Sequence, residues 1–326
     1  MKVLYIGHYK EFGGWAEAAK NYILALDSVG VDVVCRNVTL TRDREISGRL
    51  KELEGKDIDG CDVCIQHVLP HHLVGTKKFK KNIAFLASES TSIKHLAWFD
   101  YLKQMDELWV PNLQSKEFLE ADGLGIPIDV VPHTFDMSKY TKNYQVPDIG
   151  PAANQFVFYY IGDLNDRKNL EAAVTCFHSE FDKSEDAVLL IKVNKFGHPS
   201  EQLHEMVEQR LIEIKKKLRI YQRIEDYKRD IVVPDEISEN DICGLHKACD
   251  CFLCPSHGEA WSIPSFEEYW FVPCEKQIRQ QMRAYYERYK ENPIKHEQES
   301  RIAGLESAKR FSFEEIGKKM KEIINE

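Results

Sequence analysis

The sequence predicts an α/β protein with two parallel-sheet domains, and three observations lead to this prediction. Short apolar stretches of strand length alternate with helical stretches along the chain, which is the pattern of parallel sheets covered by helices. The alternation stops at the Pro- and Gly-containing stretch "YQVPDIGPAANQ" (144–155) and then restarts. At 326 residues, the chain also exceeds the usual size of one hydrophobic core. We therefore predict domains at 1–145 and 146–300.

Six apolar stretches of the N-terminal domain are predicted strands: "KVLYIG", "VDVVCRNV", "CDVCIQHV", "KNIAFLAS", "DELWVPN" and "IDVVPHTF". The segment that starts at Trp15 has the apolar spacing of a helix and ends at Gly30, a residue typical of helix C-termini. Gly13 and Gly14 would form a flexible turn between the first strand and this helix.

The C-terminal domain repeats the alternation. Strands are predicted at "FVFYYIGDL", "AVLLIKVN", "DIVVPDEI" and "DCFLCPS", with helices from Asn169, at about 201–219 and before the last strand. Ligands of open α/β sheets bind outside the carboxyl ends of the strands. We therefore expect a binding cleft between the carboxyl ends of two sheets.

Composition excludes a disordered chain and limits the partners. Hydrophobic residues make up 43% and charged residues 30%, which is typical of globular proteins. The formal net charge of -9 gives no overall attraction to nucleic acid or anionic lipid. Two basic stretches, 77–81 and 215–229, are nevertheless candidate contacts to an acidic acceptor or a membrane surface. A solvated surface is the alternative for both.

The nine cysteines favour a reducing compartment rather than a metal site. Cys251 and Cys254 lie three residues apart in a predicted strand, so their side chains would point to opposite faces. Filling of the apolar core is the simpler role for nearly all of them. The N-terminus enters a strand with no signal-peptide pattern, so we expect a cytoplasmic protein.

The first site prediction concerns "GDLNDRKN" (162–169), which follows a predicted strand. Arg167 and Lys168 stand at the start of the next predicted helix, where unpaired backbone N–H groups and the helix dipole also attract anions. Arg167 can donate to two phosphate oxygens at once, and Lys168 supplies a point charge. An exposed basic pair is the alternative. The arrangement predicts a diphosphate site.

The second site prediction concerns "SHGEAWSIPSFEEYW" (256–270). Pro264 prevents one continuous helix from carrying both Glu259 and Glu267, so a loop that becomes a helix is expected. A carboxylate can accept hydrogen bonds from two vicinal hydroxyls, as sugars offer. Surface acids beside a helix start are the alternative. Four intervening residues are further candidates for donor binding, through backbone amides in the last three: Ala260, Trp261, Ser262 and Ile263.

In this linear order, the double glycine, "VVPHTFD", "GDLNDRKN" and the two acids seven residues apart resemble a retaining glycosyltransferase of family 4. The similarity runs from Met1 to about Glu267. It implies the GT-B fold, in which two Rossmann-like domains face each other across a cleft. It also implies a nucleotide-diphosphate sugar as donor, with no metal and no further cofactor.

The resemblance assigns roles to several of these residues. Glu259 would contact the transferred hexose and Glu267 the ribose, while Gly13 and Gly14 would let the backbone approach the donor phosphates. His133 is a catalytic candidate beside the sugar. Thr134 and Asp136 follow it, with a turn or capping role as the alternative for Asp136. Four residues near predicted strand ends are acceptor-side candidates, with ordinary structural roles as the alternative: Gln66, His67, Glu89 and Ser90.

The chain departs from the family pattern after Glu267, where about one strand-helix unit is missing. Either this is a natural deletion or the full protein contains residues that this sequence lacks, and we favour the second because a sheet without that strand would expose an apolar edge. The segment 301–326 ends in a Ser-capped amphipathic helix, which in this fold packs back on the first domain. A catalytically silent GT-B module or a GT-B sugar epimerase are the alternatives to a transferase.

Overall fold

The structure, a computed structural model, describes residues 1–11, 13–88, 92–145, 155–195, 197–234, 237–257 and 273–326. These residues form two compact units. Unit 1 comprises residues within 1–138 and 304–326, and unit 2 comprises residues within 139–257 and 273–303. The predicted linker at 144–155 falls mostly outside the described residues.

All strands that pair in the two sheets are parallel. In chain order the strands are β1 Lys2–Gly7, β2 Asp32–Asn37, β3 Val63–His67, β4 Lys81–Phe85, β5 Glu107–Val110, β6 Ile128–Val130, β7 Phe156–Asp163, β8 Ala187–Asn194, β9 Asp230–Val233 and β10 Cys251–Phe252. Unit 1 contains the sheet β2-β1-β3-β4-β5-β6, and unit 2 contains the sheet β10-β7-β8-β9.

Helices connect these strands, as expected for parallel sheets. In chain order the helices are α1 Gly14–Ser28, α2 Gly48–Gly55, α3 Trp98–Leu102, α4 Leu113–Ala121, α5 Met137–Thr141, α6 Leu170–Glu180, α7 Ser200–Leu218, α8 Glu239–Ala248, α9 Glu275–Glu291, α10 Pro293–Arg310 and α11 Phe313–Asn325. In the part of the chain that is described, no helix is both long and apolar enough to cross a membrane.

The last helix, α11, completes the core of unit 1. Ser312 caps its start by accepting a hydrogen bond from the Glu315 backbone N–H. Its apolar face, which includes Met320, is buried in the same core as α1. A Cβ atom at Gly317 would lie 2.4 Å from the carbonyl oxygen of Ala25. Glycine is therefore required where α11 crosses α1.

Unit 2 is held together by an aromatic core and by arginines of α9. Tyr286 packs edge to face against both Phe156 and Phe181 in the buried cluster. Arg283 lies over the Phe181 ring, 4.5 Å from its centroid, and its Nε donates to Glu180 at 2.8 Å. The segment after residue 272 therefore begins as part of this unit.

Most predicted elements are confirmed, and three predictions are wrong in detail. The strand predicted at "DCFLCPS" is only two residues long. Cys254 and Cys274 are exposed rather than buried in the core. In the basic stretch 215–229, Lys215 and Lys228 are buried, because their ammonium groups bond to Asp230 and to backbone carbonyls.

Each sheet reverses its strand order at one point. In unit 1 the chain moves from β1 to β2 on one side and returns to place β3 on the other side of β1. In unit 2 it moves from β7 through β8 to β9 and returns to place β10 beside β7. Loops that leave the carboxyl ends of neighbouring strands separate at such points and leave a crevice for ligands. A ligand site is therefore expected at these two positions.

Candidate functional site

In unit 2, the cations Arg167 and Lys168 lie in a single 3-10 turn between β7 and α6. The Asn165 side chain accepts a hydrogen bond from the Lys168 backbone N–H at 3.0 Å. Asn169 caps α6 by accepting from the Ala172 N–H at 3.2 Å, as the predicted helix start requires. The two cations thus precede the helix rather than lying within its first turn.

The stem of Lys168 packs closely against the end of β7. A Cβ atom at Gly162 would lie 3.4 Å from Cγ of Lys168 and 2.9 Å from the Tyr160 hydroxyl. An added Cβ would therefore crowd the Tyr160 hydroxyl but would only touch Lys168, which is half-buried beside the end of β7.

The loop that leaves β10 is bonded to this turn. The His257 backbone N–H donates to the Arg167 carbonyl oxygen at 2.8 Å, and the Asn169 side chain donates to the Pro255 carbonyl oxygen at 3.1 Å. Glu259 follows His257 by two positions in the sequence. The predicted donor contacts Glu259, Ala260, Trp261, Ser262, Ile263 and Glu267, and the acceptor-side candidates Glu89 and Ser90, lie outside the described residues.

In unit 1, the predicted glycine turn precedes α1. Gly13 has a φ of +87°, a conformation that favours glycine, and α1 begins at Gly14. Both residues are exposed, and an added Cβ would meet no atom within 4 Å at either position. Close approach of another molecule to this backbone is therefore sterically possible.

Glu11, two residues earlier, holds the neighbouring loop after β2. Its carboxylate accepts hydrogen bonds from the backbone N–H groups of Leu40 and Thr41 at 2.6 and 2.8 Å and from the Thr41 hydroxyl at 2.6 Å. Burial alone would raise the pKa of Glu11, but these bonds outweigh it and lower the pKa to about 2. The carboxylate is therefore charged at neutral pH and committed to the loop.

A cluster of rings lies at the carboxyl ends of β1 and β3, where unit 1 reverses its strand order. His67, the last residue of β3, has its ring centroid 4.5 Å from that of Phe85 and 5.9 Å from that of Tyr22. The His133 ring lies 5.8 Å from Phe85. The Trp15 indole stacks on His67 with centroids 5.6 Å apart. Two predicted site residues, His67 and His133, are thus brought together.

His133 is held in the cluster by a hydrogen bond with Tyr22. The Tyr22 hydroxyl lies 2.9 Å from His133 Nδ1 and 3.0 Å from the Val131 carbonyl oxygen. Burial lowers the pKa of His133 to about 4. His133 is therefore a neutral ring at pH 7.

His8, which follows β1, has a structural role that the sequence did not reveal. Its Nδ1–H donates to the Val38 carbonyl oxygen at 2.6 Å, and its Nε2 accepts from the Leu69 backbone N–H at 3.1 Å. Burial lowers the pKa of His8, and nearby His72 lowers it further. Both ring nitrogens thus hold loops at the edge of the sheet.

Three other predicted residues bond to backbone groups. The Gln66 amide donates to the Val74 carbonyl at 2.8 Å and accepts from the Val74 N–H at 3.0 Å. The Thr134 hydroxyl donates to the Phe311 carbonyl at 2.8 Å, which ties it to the segment before α11. Asp136 accepts from the Ser138 backbone N–H at 2.8 Å, so the capping role applies. These contacts position loops around the ring cluster.

Trp15, Tyr5 and Tyr22 are cluster members that the sequence analysis did not select. The available signal was position: Trp15 directly follows the double glycine, and Tyr5 stands two residues before the end of β1. No group of three metal-ligating side chains occurs in the parts of the chain that the structure describes.

We expect stability to fall as pH is lowered from 6.5 towards 4, in part through His133. In this window an unfolded histidine, with an ordinary pKa of 6.5, binds a proton that folded His133, with a pKa of about 4, does not bind. The contribution of His133 to stability is fully present above pH 6.5. Below that pH, this contribution lowers the free energy of unfolding by about 1.4 kcal/mol per pH unit. Urea unfolding followed by tryptophan fluorescence at pH 7.5, 6 and 5 measures this slope. The same slope in His133→Asn would contradict the assignment.

Comparison with known proteins identifies the fold but no sequence family. No protein-family model and no curated protein matches the sequence. Solved structures do match. HepE of Anabaena, crystallised with UDP, is similar over 100% of both chains, with 16% identity and a TM-score of 0.63. WaaB, a lipopolysaccharide outer core galactosyltransferase, is similar over 99% of both chains, with 13% identity and a TM-score of 0.62.

A third match is trehalose-6-phosphate synthase, from a study of enzymatic glycosyl transfer with retention. The similarity covers 99% of this chain and 98% of that one, with 10% identity and a TM-score of 0.64. At these identities the likeness establishes the fold: the chain is an α/β protein of the GT-B fold with two Rossmann-like domains. The predicted fold class is confirmed, while membership of family 4 remains a prediction.

Proposed function

We propose that the protein is a retaining glycosyltransferase, which transfers a hexose-type sugar from a nucleotide-diphosphate sugar to an acceptor hydroxyl without a metal ion. The observation that carries the proposal is the Arg167–Lys168 turn. It lies at the carboxyl ends of β7 and β10, where a parallel sheet offers its ligand crevice, and the loop after β10 is bonded to it through His257.

Each part of the donor has a candidate partner. Arg167 and Lys168 bind the diphosphate, since a guanidinium and an ammonium both pair well with phosphate oxygens. By resemblance to family 4, Glu267 binds the ribose hydroxyls and Glu259 the hexose. The His257 tether supports this assignment, because it holds the chain beside Arg167 two residues before Glu259.

The proposed reaction needs no protein nucleophile. The bond between the anomeric carbon and the diphosphate oxygen breaks, and the acceptor oxygen bonds to that carbon on the same face. The departing diphosphate takes the proton of the acceptor hydroxyl. Arg167 and Lys168 stabilise the negative charge that develops on the diphosphate. His133, neutral at pH 7, is a candidate hydrogen-bond partner for a sugar hydroxyl.

Two of the structural neighbours support the donor class and the stereochemistry. HepE was crystallised with UDP, and trehalose-6-phosphate synthase transfers a glycosyl group with retention according to the study that describes it. UDP-sugars are therefore the first donors to test. A screen of thermal stability against UDP, GDP, ADP and their sugar conjugates, with and without EDTA, tests the proposal. A ligand at a concentration of one hundred times its dissociation constant stabilises the folded protein by about 2.7 kcal/mol.

A shift with one nucleotide that persists in EDTA is expected. No shift with any nucleotide would overturn the donor site and favour a catalytically silent module. A shift without transfer to any acceptor, accompanied by interconversion of the free sugar-nucleotide, would favour an epimerase. Product analysis by NMR separates the transferase from the epimerase, and it also reports whether the anomeric configuration is retained.

The two acids should separate binding from transfer. We expect Glu267→Ala to weaken nucleotide binding about tenfold or more, because ribose hydroxyls lose a charged acceptor. Glu259→Ala should instead lower kcat and leave the affinity for the free nucleotide unchanged. Isothermal titration with the nucleotide found in the screen and steady-state kinetics with its sugar conjugate measure both effects. Wild-type affinity and turnover in both variants would contradict the two roles.

A further inference from the structure

Two buried nitrogen atoms of the ring cluster have no hydrogen-bond partner among the described residues: Nε1 of Trp15 and Nε2 of His67. The His67 side chain is almost completely buried, with 1% of its residue surface exposed. Buried polar atoms are nearly always paired, and each unpaired one costs about 1–3 kcal/mol. Two such atoms on stacked rings indicate a position that a ligand is meant to complete.

The surrounding bonds show that both atoms are donors. The indole nitrogen of Trp15 always carries its proton. Tyr5 is buried, and its hydroxyl lies 2.8 Å from His67 Nδ1. If Tyr5 accepted this bond, its own proton would have no acceptor. Tyr5 therefore donates to Nδ1, and the His67 proton lies on Nε2. The cluster thus contains two N–H groups on stacked rings, and each of them lacks an acceptor among the described residues.

The cluster is uncharged where these donors lie. Burial lowers the pKa of His67 well below its ordinary value, and His133 and His8 lower it further. Its ring is therefore neutral at pH 7. Glu11, four residues before Trp15, is committed to the loop after β2. Lys10 pairs with Glu54 at 2.8 Å. The aromatic rings packed on His67 are all uncharged, so they offer no cation to an anionic group that loses its hydration here.

We propose that Trp15 and His67 bind a hydroxyl oxygen of the acceptor, and that this acceptor is an uncharged sugar or polyol. The inference rests on the proposed glycosyl transfer and adds its acceptor class. Aromatic rings with a few well-placed donors are typical of sites that bind small polar molecules. This expectation differs from the acidic acceptor that the basic stretches 77–81 and 215–229 suggested.

The position of Trp15 explains how such a ligand could enter. Both nitrogens are shielded from solvent, since the indole covers the His67 ring. Trp15 is the second residue of α1 and directly follows the exposed Gly13–Gly14 pair. We expect rotation of this one side chain to expose His67 Nε2, because the indole is stacked on that ring.

Saturation-transfer NMR of the whole protein, alone and with UDP, tests the proposal. The probes are methyl α-glucopyranoside, methyl α-galactopyranoside, methyl α-mannopyranoside and myo-inositol, with glucose 6-phosphate and inositol 1-phosphate as the charged forms. We expect at least one uncharged probe to bind more tightly than its phosphate. Trp15→Phe, which removes the indole N–H together with the pyrrole part of the ring, should weaken that binding about five- to tenfold.

Three variants make the test specific. In His67→Asn the amide oxygen can still accept from Tyr5, but the shorter side chain cannot place its NH2 where Nε2 lies, so this variant should lose binding, whereas the longer His67→Gln should retain part of it. Trp98→Phe in α3 is the matched control and should bind as the wild type does.

The outcomes separate this inference from the proposed function. Binding of UDP with unchanged acceptor binding in Trp15→Phe and His67→Asn would overturn the hydroxyl site and leave the transferase standing. Preference for the phosphorylated probes, or no binding of any probe, would also overturn it. If the wild-type protein does not bind UDP but binds a glycoside in a way that depends on Trp15, the transferase is overturned and a carbohydrate-binding site remains.

Discussion

Replacement of Arg167 by alanine should lower kcat/KM for the sugar nucleotide by about 10²- to 10³-fold, the range seen when one group that stabilises transition-state charge is removed. The physical reason is the charge that builds on the departing diphosphate, which Arg167 can meet with two donors of fixed geometry. Part of the loss should appear as weaker binding of the free nucleotide. Steady-state kinetics and calorimetry on the same protein samples measure the two parts.

Arg167→Ala preserves the backbone bonds of this turn. The bond that ties the loop after β10 to the turn uses the Arg167 backbone carbonyl, which alanine retains. The Asn165 and Asn169 caps are also retained, because they use backbone N–H groups of other residues. Thermal unfolding of this variant without nucleotide checks that the loss of activity is not a loss of fold.

Two further variants complete the comparison. Arg167→Lys keeps the charge but loses the forked geometry, so its activity should lie between those of the wild type and Arg167→Ala. Lys216→Ala removes an exposed cation from α7 and should have wild-type activity. If Lys216→Ala lost as much activity as Arg167→Ala, a general effect of positive charge would replace the proposed diphosphate contact.

Local patterns predicted the sheets, the helices and the position of the cationic turn. Strand and helix periodicity depend on neighbouring residues, so the paired strands from β1 to β9 and the cap at Asn169 were recognisable. The order of strands within a sheet brings His67 and His133 to the same edge, and no local pattern predicts that the two rings meet. Periodicity alone could not show which of Gln66 and His67 faces the ring cluster, because alternation leaves both choices open.

Contacts between residues far apart in the sequence explain what was missed. Trp15 is separated from His67 by 52 positions, and no local pattern indicates that their unpaired nitrogens lie together. Lys215 and Lys228 looked like surface cations because seven basic residues occur in 215–229. Their burial depends on partners from β9, on backbone carbonyls and on the strands they cover. A run of like charges therefore does not by itself show that its side chains are exposed.

The largest expected effect on stability comes from Asp230, at the start of β9. Its carboxylate lies 2.9 Å from His178 Nε2 and 2.7 Å from Lys215 Nζ, and all three side chains are buried. Burial alone would raise the pKa of Asp230, but the bonds from His178 and Lys215 outweigh it, so the pKa is lowered. Asp230→Asn leaves the Lys215 ammonium buried without its counter-charge. We expect unit 2 to lose about 3–5 kcal/mol.

Amide hydrogen exchange of peptides from β8 and β9 measures this loss locally, which matters because two compact units need not unfold in one step. If the uncompensated ammonium causes the loss, Asp230→Asn combined with Lys215→Met should recover much of it. Glu299→Gln, which breaks the exposed pair with Lys295, is the control and should cost less than about 1 kcal/mol. The difference between wild type and Asp230→Asn should also shrink below pH 3.8, the ordinary pKa, as the folded carboxylate is protonated. If the double variant is destabilised as much as Asp230→Asn alone, the carboxylate stabilises unit 2 through His178 or β9 and not through Lys215.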